Sequence, residues 1–235
     1  MMREAARRGH AVYHFEQRDM VLDEGVVSAR VTQIHLTGDK DAWYRADPAV
    51  DVNLGEFDAI LERKDPPFDM EYVYGTYLLE LAERQGACVI NSPRAIRDHN
   101  EKMAIGQFSE HTSPTLVTSD AARLRAFHAK HTDVIFKPLD GMGGAGIFRV
   151  KSDALNLGAI IETLTDNGRN TIMAQKFIPA IEKGDKRVLV IGGKPVPFVL
   201  ARIPQGGEVR GNLAAGGLGV AQPISPRERE IAEAL

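Results

Sequence analysis

Val134-Ile-Phe-Lys-Pro-Leu-Asp-Gly-Met-Gly-Gly-Ala-Gly-Ile-Phe-Arg-Val150 is the stretch on which the reading of this chain turns. Its apolar flanks, Val134, Ile135 and Phe136 before the loop and Ile147, Phe148 and Val150 after it, are β-branched or aromatic, the residue types that fit a pleated surface. Between them Gly141, Gly143, Gly144 and Gly146 permit positive φ and close backbone approach. The pattern predicts strand, glycine-rich loop, strand. Consecutive N–H groups of such a loop can converge on an anion, and Lys137 beside it supplies a point charge that a polyphosphate would need.

Three other readings compete. A dinucleotide-binding fingerprint requires G-x-G-x-x-G leading into a helix. Here the order is G-x-G-G-x-G, and Ile147-Phe-Arg-Val150 favours another strand. A P-loop ends in G-K-[ST], a triplet found nowhere in the sequence. A hairpin without a ligand stays open, because glycine clusters also mark plain turns.

The 235 residues suffice for one large domain or two smaller ones. An apolar share of 43% and a charged share of 26% are ordinary for a globular protein. A net charge of -3 gives no global reason to expect nucleic-acid binding. No apolar run approaches the roughly 18 residues of a membrane span. Met1 to Gly9 carries charge without the apolar core of a secretory signal, so a cytoplasmic setting is expected. The single cysteine, Cys88, lies in an apolar run and is expected to be a buried strand residue.

Read in order, Met1 to Arg8 looks like the end of a helix stopped by Gly9, with a strand from His10 to Phe15. An outer strand or hairpin is expected at Val26 to Val31, and a strand at Asp58 to Glu62. The strand at Asp58 to Glu62 runs into Arg63-Lys-Asp-Pro-Pro-Phe-Asp69, where the two prolines forbid regular structure and make a stiff turn. Met70, Val73, Tyr74, Tyr77, Leu78 and Leu81 recur at helical spacing and predict one apolar helix face, its tyrosines in the core. Cys88 to Asn91 follows as a strand. Residues 1–95 thus read as a small, mostly parallel α/β domain. Both chain ends look cut, the first domain lacking its opening strand.

Residues 96–235 read as an α+β unit. Glu101 to Glu110 reads as helical, Thr115 to Val117 as a strand, and Asp120 to Lys130 as a helix with Ala121, Leu124 and Phe127 on one face. His128 and His131 are placed on the polar face of that helix, without the third ligand that zinc requires. A helix at Leu157 to Thr165 and a strand at Thr171 to Gln175 come next. Lys186 to Ile191 and Val196 to Ala201 form a hairpin about Gly192-Gly193. Ile203 to Gly219, rich in glycine and carrying Arg210 and Asn212, reads as a lid. Ser225-Pro-Arg-Glu opens a last helix with an N-cap serine, Pro at N1 and Glu at N3.

Lys102, Lys137, Asp185-Lys-Arg187 and Arg202, taken with a glycine loop and a lid, suggest a polyphosphate site with arginines held for developing negative charge. At this level the sequence also resembles a known family. Asn100-Glu-Lys102, Lys137 to Gly144, Gly184-Asp-Lys-Arg-Val188, Leu200 to Gly217 and Arg63 to Asp69 are similar to bacterial glutathione synthetases, which are ATP-grasp ligases. The resemblance covers nearly the whole chain. It implies a pre-ATP-grasp domain with a parallel sheet, followed by an ATP-grasp fold.

By that resemblance Lys102 and Lys137 contact the ATP phosphates and the purine side, and the loop from Gly141 through Gly143 and Gly144 to Gly146 covers the phosphates. Gln175, Lys176, Phe177 and Ile178 run along the adenine, with Asp185 near the nucleotide. Arg187, Arg202 and Arg210 act in catalysis, and Arg63 and Asn212 bind substrate. The implied substrates are ATP, γ-glutamylcysteine and glycine, with Mg²⁺ as cofactor and a homotetramer as the assembly. Members of the family hold Mg²⁺ through a Glu-x-Asn pair after the lid. No Glu-x-Asn occurs here, and Asp51-Val-Asn53 is only a superficial echo, so no metal ligand is assigned in this chain. Loss of metal-based stabilisation worth roughly 4 kcal/mol would slow the reaction about a thousandfold, so the chain as given is expected to have little ligase activity. A non-catalytic nucleotide- or peptide-binding fragment, and an ATP-grasp ligase for another peptide or amino acid, are the alternatives.

Overall fold

The computed structural model describes residues 1–64, 67–205, 213 and 216–234. The chain divides into two compact units, Met1–Asn100 and Glu101–Leu235. The first contains α1 (Met2–Arg7), β1 (Val12–His14), β2 (Met20–Asp23), β3 (Val26–Leu36), β4 (Tyr44–Ala46), β5 (Val50–Asn53), β6 (Ile60–Leu61), α2 (Met70–Arg84), β7 (Val89–Ile90) and α3 (Pro93–Asp98).

Its centre is β3, 11 residues long and not an outer strand. β2 and β5 pair with its first half and β1 and β4 with its second, all antiparallel. Val27, Ala29 and Val31 alternate inward, as a half-buried strand requires, and join Leu54, Ile60, Leu79, Ala82 and Val89 in one core. The expected parallel pairing is present as the short β6–β7 ladder, while the larger sheet is antiparallel. Cys88 is exposed instead of buried; its neighbours Ala87 and Val89 turn inward.

Asp69 caps α2, its carboxylate accepting from the Tyr72 N–H at 2.9 Å. The buried face of α2 is Tyr72, Gly75, Thr76, Leu79 and Ala82, whereas Tyr74 and Tyr77 are exposed. The sequence expectation is therefore rotated. Small residues let this helix approach closely, and a periodicity built on large apolar residues does not register them: a Cβ on Gly75 would stand 2.8 Å from the Gln17 side chain. Tyr77 instead stacks under Arg97 of α3, 4.4 Å from ring centre to guanidinium, while Arg97 also pairs with Glu80 and donates to Thr76 Oγ1 at 3.2 Å.

The second unit holds β8 (Thr115–Thr118), α4 (Ala121–His131), β9 (Val134–Pro138), β10 (Phe148–Val150), α5 (Leu157–Thr165), β11 (Ile172–Lys176), β12 (Asp185–Ile191), β13 (Lys194–Ile203), β14 (Leu218–Pro223) and α6 (Pro226–Ala234). A short 3₁₀ segment, Ala104–His111, replaces the helix expected before β8. One antiparallel sheet runs β10-β9-β11-β8 and a second runs β12-β13-β14. In the first sheet Val134, Phe136, Val150, Ile172 and Ala174 pack against Leu124, Leu157 and Ile161 from α4 and α5. Each of these larger side chains is worth about 1.5–3 kcal/mol of burial.

His128 belongs to this core and not to a polar face. It is buried, its Nε2 lies 3.0 Å from the Lys151 carbonyl, and its ring stacks on Phe136. Strand β14 had no expectation in the sequence, because Gly219 and Pro223 hide it. It follows β13 in register, Ala201 facing Val220 and Leu200 facing Ala221.

The start of α6 follows the expected capping pattern. Ser225 N–H donates to Glu228 Oε2 at 2.8 Å, Glu228 N–H donates to Ser225 Oγ at 3.3 Å, and Lys186 Nζ reaches Glu228 Oε1 at 2.7 Å from β12. The lysine first, then the Ser225 N–H, pulls the Glu228 carboxyl down to about 2. Ser225→Ala should cost about 0.5–2 kcal/mol in urea denaturation. A depressed carboxyl stabilises the fold above its unfolded value and loses that contribution as pH falls. Glu228→Gln should therefore lower the melting temperature at neutral pH, and its deficit should shrink as pH is taken from about 4.5 toward 2.

Candidate functional site

Side chains alternate along β9, so burial of Val134 and Phe136 against α4 and α5 sends Ile135 and Lys137 to the opposite sheet face. Register then places Met173 opposite Lys137 and Gln175 opposite Ile135 on β11, and Thr115 opposite Gln175 on β8. That face carries a continuous polar row. Lys137 Nζ donates to Gln175 Oε1 at 2.6 Å, Gln175 Nε2 donates to Thr115 Oγ1 at 2.9 Å, and Thr115 Oγ1 donates to the Ser113 carbonyl at 2.8 Å.

Lys102 enters from the segment before β8. Its ammonium donates to the Gly141 carbonyl at 2.6 Å and lies 3.1 Å from Glu101 Oε1. The structure thus brings Lys102, the glycine loop, Lys137 and Gln175 together. A cavity of about 450 Å³ beside them is lined by Lys102, Met103, Ile105, Ser109, Thr115 and Met173. The loop itself joins two antiparallel strands, Phe148 facing Phe136 and Val150 facing Val134. Gly143, Gly144 and Gly146 have φ of 67°, 87° and 68°, a conformation that side chains with a Cβ rarely adopt.

Burial first, then the Lys102 charge, lowers the Lys137 pKa from the ordinary lysine range, with Glu101 acting weakly the other way. Two mutually repelling ammonium groups are held on one sheet face, and the acceptor facing Lys137 is a neutral amide. Such an arrangement fits a polyanion, whose charge would relieve both the desolvation and the repulsion.

The second cluster stands on β12 and β13. Asp185 and Arg202 face each other in register and pair bidentately, Arg202 Nε lying 3.1 Å from both carboxylate oxygens. Arg187, opposite Leu200 on the same face, is exposed. Gly184 makes the pairing possible: its φ is 96°, and a Cβ there would fall 2.5 Å from the Arg202 carbonyl oxygen. Of the residues expected along a purine, Lys176 and Ile178 are exposed. The Phe177 ring is buried beneath Arg149, 3.4 Å from its guanidinium, and Arg149 is fixed by Asp133 at 2.9 and 2.7 Å. The Phe177 side chain is thereby committed to the fold, and its N–H is taken up by the Asp133 carbonyl at 2.9 Å. Arg63 is exposed in the first unit, where it lines a broad concavity with Arg18, Glu62, Lys64 and Tyr74. Arg210 and Asn212 lie outside the described residues, as does most of the expected lid.

Among the described residues no group of three His, Cys, Asp or Glu side chains could hold a metal ion, and Asp185 is engaged by Arg202. Nor is any helix among them long and apolar enough to cross a membrane. Sequence reasoning missed Thr115 and Ser113, which carry the row beyond Gln175. Thr115 heads a short strand and looks like any β-branched strand residue.

The family described as prokaryotic glutathione synthetase, N-terminal domain, matches residues 1–97, and the prokaryotic glutathione synthetase ATP-grasp domain matches residues 101–235. The glutathione synthetase of Ralstonia nicotianae is 64% identical over 100% of this chain and 72% of its own length. That of Nitrosomonas europaea is 56% identical over 100% of this chain and 74% of its own, and that of Shewanella oneidensis 52% over 100% and 75%. Among solved structures, the ATP-grasp ligase PsnB with its precursor peptide and AMPPNP aligns with a TM-score of 0.57 at 20% identity, covering 98% of this chain and 72% of that one. D-cycloserine synthetase DcsG aligns with a TM-score of 0.58 at 17% identity, covering 78% and 65%. These are likenesses of fold, in line with the ATP-grasp domain that the family model matches over residues 101–235.

If the two ammonium groups sense each other, Lys102→Met should move the Lys137 titration back toward the ordinary lysine range. The return should be partial, since burial is the larger cause. NMR titration of the lysine side chains reads this directly, and an unchanged Lys137 would show that the two charges are independent. Gly184→Ala should force β13 away from Gly184, disturb the Asp185–Arg202 pair and lower the melting temperature.

Proposed function

We infer, from a chain that belongs to the prokaryotic glutathione synthetase family over both of its domains, that it is a glutathione synthetase. The reaction is ATP-dependent ligation of γ-L-glutamyl-L-cysteine to glycine. ATP transfers its terminal phosphoryl group to the cysteinyl carboxylate, giving an acyl-phosphate and ADP. The glycine amine attacks the acyl carbon, loses a proton, and phosphate leaves as the amide forms. The observation that carries this reading is identity of 52–64% to named glutathione synthetases along the whole chain.

In this reading Lys102 and Lys137 bind the nucleotide, and the Gly141 to Gly146 loop lies over its phosphates. Burial and the Lys102 charge both lower the Lys137 pKa, and the negative charge of a bound polyphosphate would offset them, which supports that role. Gln175 holds the Lys137 ammonium in place, and the backbone from Lys176 to Ile178 follows the purine. Asp185 orients Arg202, and with Arg187 the guanidinium groups meet charge that develops on the transferring phosphoryl group. Arg210 and Asn212 would close over the acyl-phosphate and keep water out, and Arg63 would contact the dipeptide. Magnesium use goes with the family. The described residues do not form a metal site by themselves, so no step is assigned to one. A reducing, cytoplasmic setting suits the exposed thiol of Cys88, and a homo-oligomer, as the family resemblance implies, completes the proposal.

On incubation with γ-glutamylcysteine, glycine, ATP and Mg²⁺, whatever ADP and phosphate this chain releases should depend on the presence of both γ-glutamylcysteine and glycine. Arg202→Lys should cut that rate by about 10²-fold or more, because a point charge cannot keep the bidentate Asp185 pairing. Saturable ATP binding with no turnover would instead favour a nucleotide- and peptide-binding role.

A further inference from the structure

The polar row on the β9-β11-β8 face has a direction, and the direction is set at its far end. A threonine hydroxyl has a single proton. In Thr115 that proton goes to the Ser113 carbonyl, 2.8 Å away, so the oxygen can only accept from its other neighbour. That neighbour is the Gln175 amide, which presents Nε2 to Thr115 at 2.9 Å and therefore Oε1 to Lys137 at 2.6 Å. An amide is nearly symmetric in shape, so packing alone does not choose between its two orientations. If it turned over, an N–H would face the Lys137 ammonium, and the lysine would have to swing away.

We propose that Thr115 is a positioning residue for nucleotide binding: its hydroxyl fixes the Gln175 amide with the oxygen toward Lys137 and so holds the ammonium on the nucleotide side of the sheet. This rests on the nucleotide reading of Lys137. Thr115 and Gln175 are directly opposite across β8 and β11, and Lys137 is diagonal to Gln175 across β11 and β9, within reach of long side chains. The bond to Gln175 uses one of the ammonium's three donors and leaves two for a ligand's oxygens. The row is half-buried, where a lost hydrogen bond to a charged group is not made good by water.

Calorimetric titration of ATP into the parent chain, Thr115→Val, Thr115→Ser, Gln175→Leu and the Thr115→Val/Gln175→Leu double variant tests this, with melting curves to confirm that each folds. Thr115→Val keeps the shape and removes the hydroxyl; it should weaken ATP binding about tenfold, the size of one charged hydrogen bond. Thr115→Ser keeps the hydroxyl and should stay within about twofold of the parent. In the Gln175→Leu background the valine substitution should make no further difference, because the group it orients is gone. Thr115→Ala substitutes for the valine variant if that one does not fold. Equal affinity of Thr115→Val and the parent, the same loss in both backgrounds, or failure of serine to restore binding would each overturn the proposal. A parent that binds no ATP would overturn the nucleotide reading itself and this inference with it.

Discussion

A lysine ammonium taken out of water must be given hydrogen-bond acceptors or a counter-charge, or its protonated form becomes unfavourable. Among the described residues Lys137 donates to the neutral Gln175 amide, and burial first, then the Lys102 charge, lowers its pKa. The strand alternation that buries Phe136 against α4 and α5 is the same alternation that carries Lys137 to the open face, so core and site cannot be separated in β9. The glycine loop follows directly from that strand, and its carbonyl at Gly141 holds the other ammonium.

A similar economy appears in the second sheet. Asp185 and Arg202 are cross-strand neighbours whose bidentate pairing orients the guanidinium, and the left-handed Gly184 immediately before them leaves room for the β13 backbone. Arg187 shares that face through the register. In the function proposed for this member of the prokaryotic glutathione synthetase family, these features share a purpose: cations and fixed donors would be gathered for a nucleotide and for the charge that moves when its phosphoryl group is transferred.

What the sequence disclosed well was local. The strand-loop-strand about Gly141 to Gly146, the hairpin at Gly192-Gly193 and the Ser225/Glu228 cap each depend on residues a few positions apart, and each formed as expected. Features that depend on distant partners were harder to read. The buried face of α2 is set by Gly75 and Ala82 as much as by large side chains, so Tyr74 and Tyr77 turned outward. His128 could be recognised as a core residue only through the Lys151 carbonyl, and β14 only through its pairing with β13. The same holds in the site. Lys102, Lys137 and the loop stood out by composition and resemblance, while Thr115 gained meaning only when β8 lay beside β11.

The central claim is that burial and the Lys102 charge make the protonated form of Lys137 less favourable than that of an ordinary lysine until a polyphosphate arrives. Binding would then raise its pKa again, and at pH values that span the lowered titration the complex should take up a proton. ATP titrations in two buffers of different ionisation enthalpy measure that uptake directly. The account predicts proton uptake by the parent chain, and none, with weaker affinity, in Lys137→Met. Equal affinity and no proton uptake in either protein would contradict it.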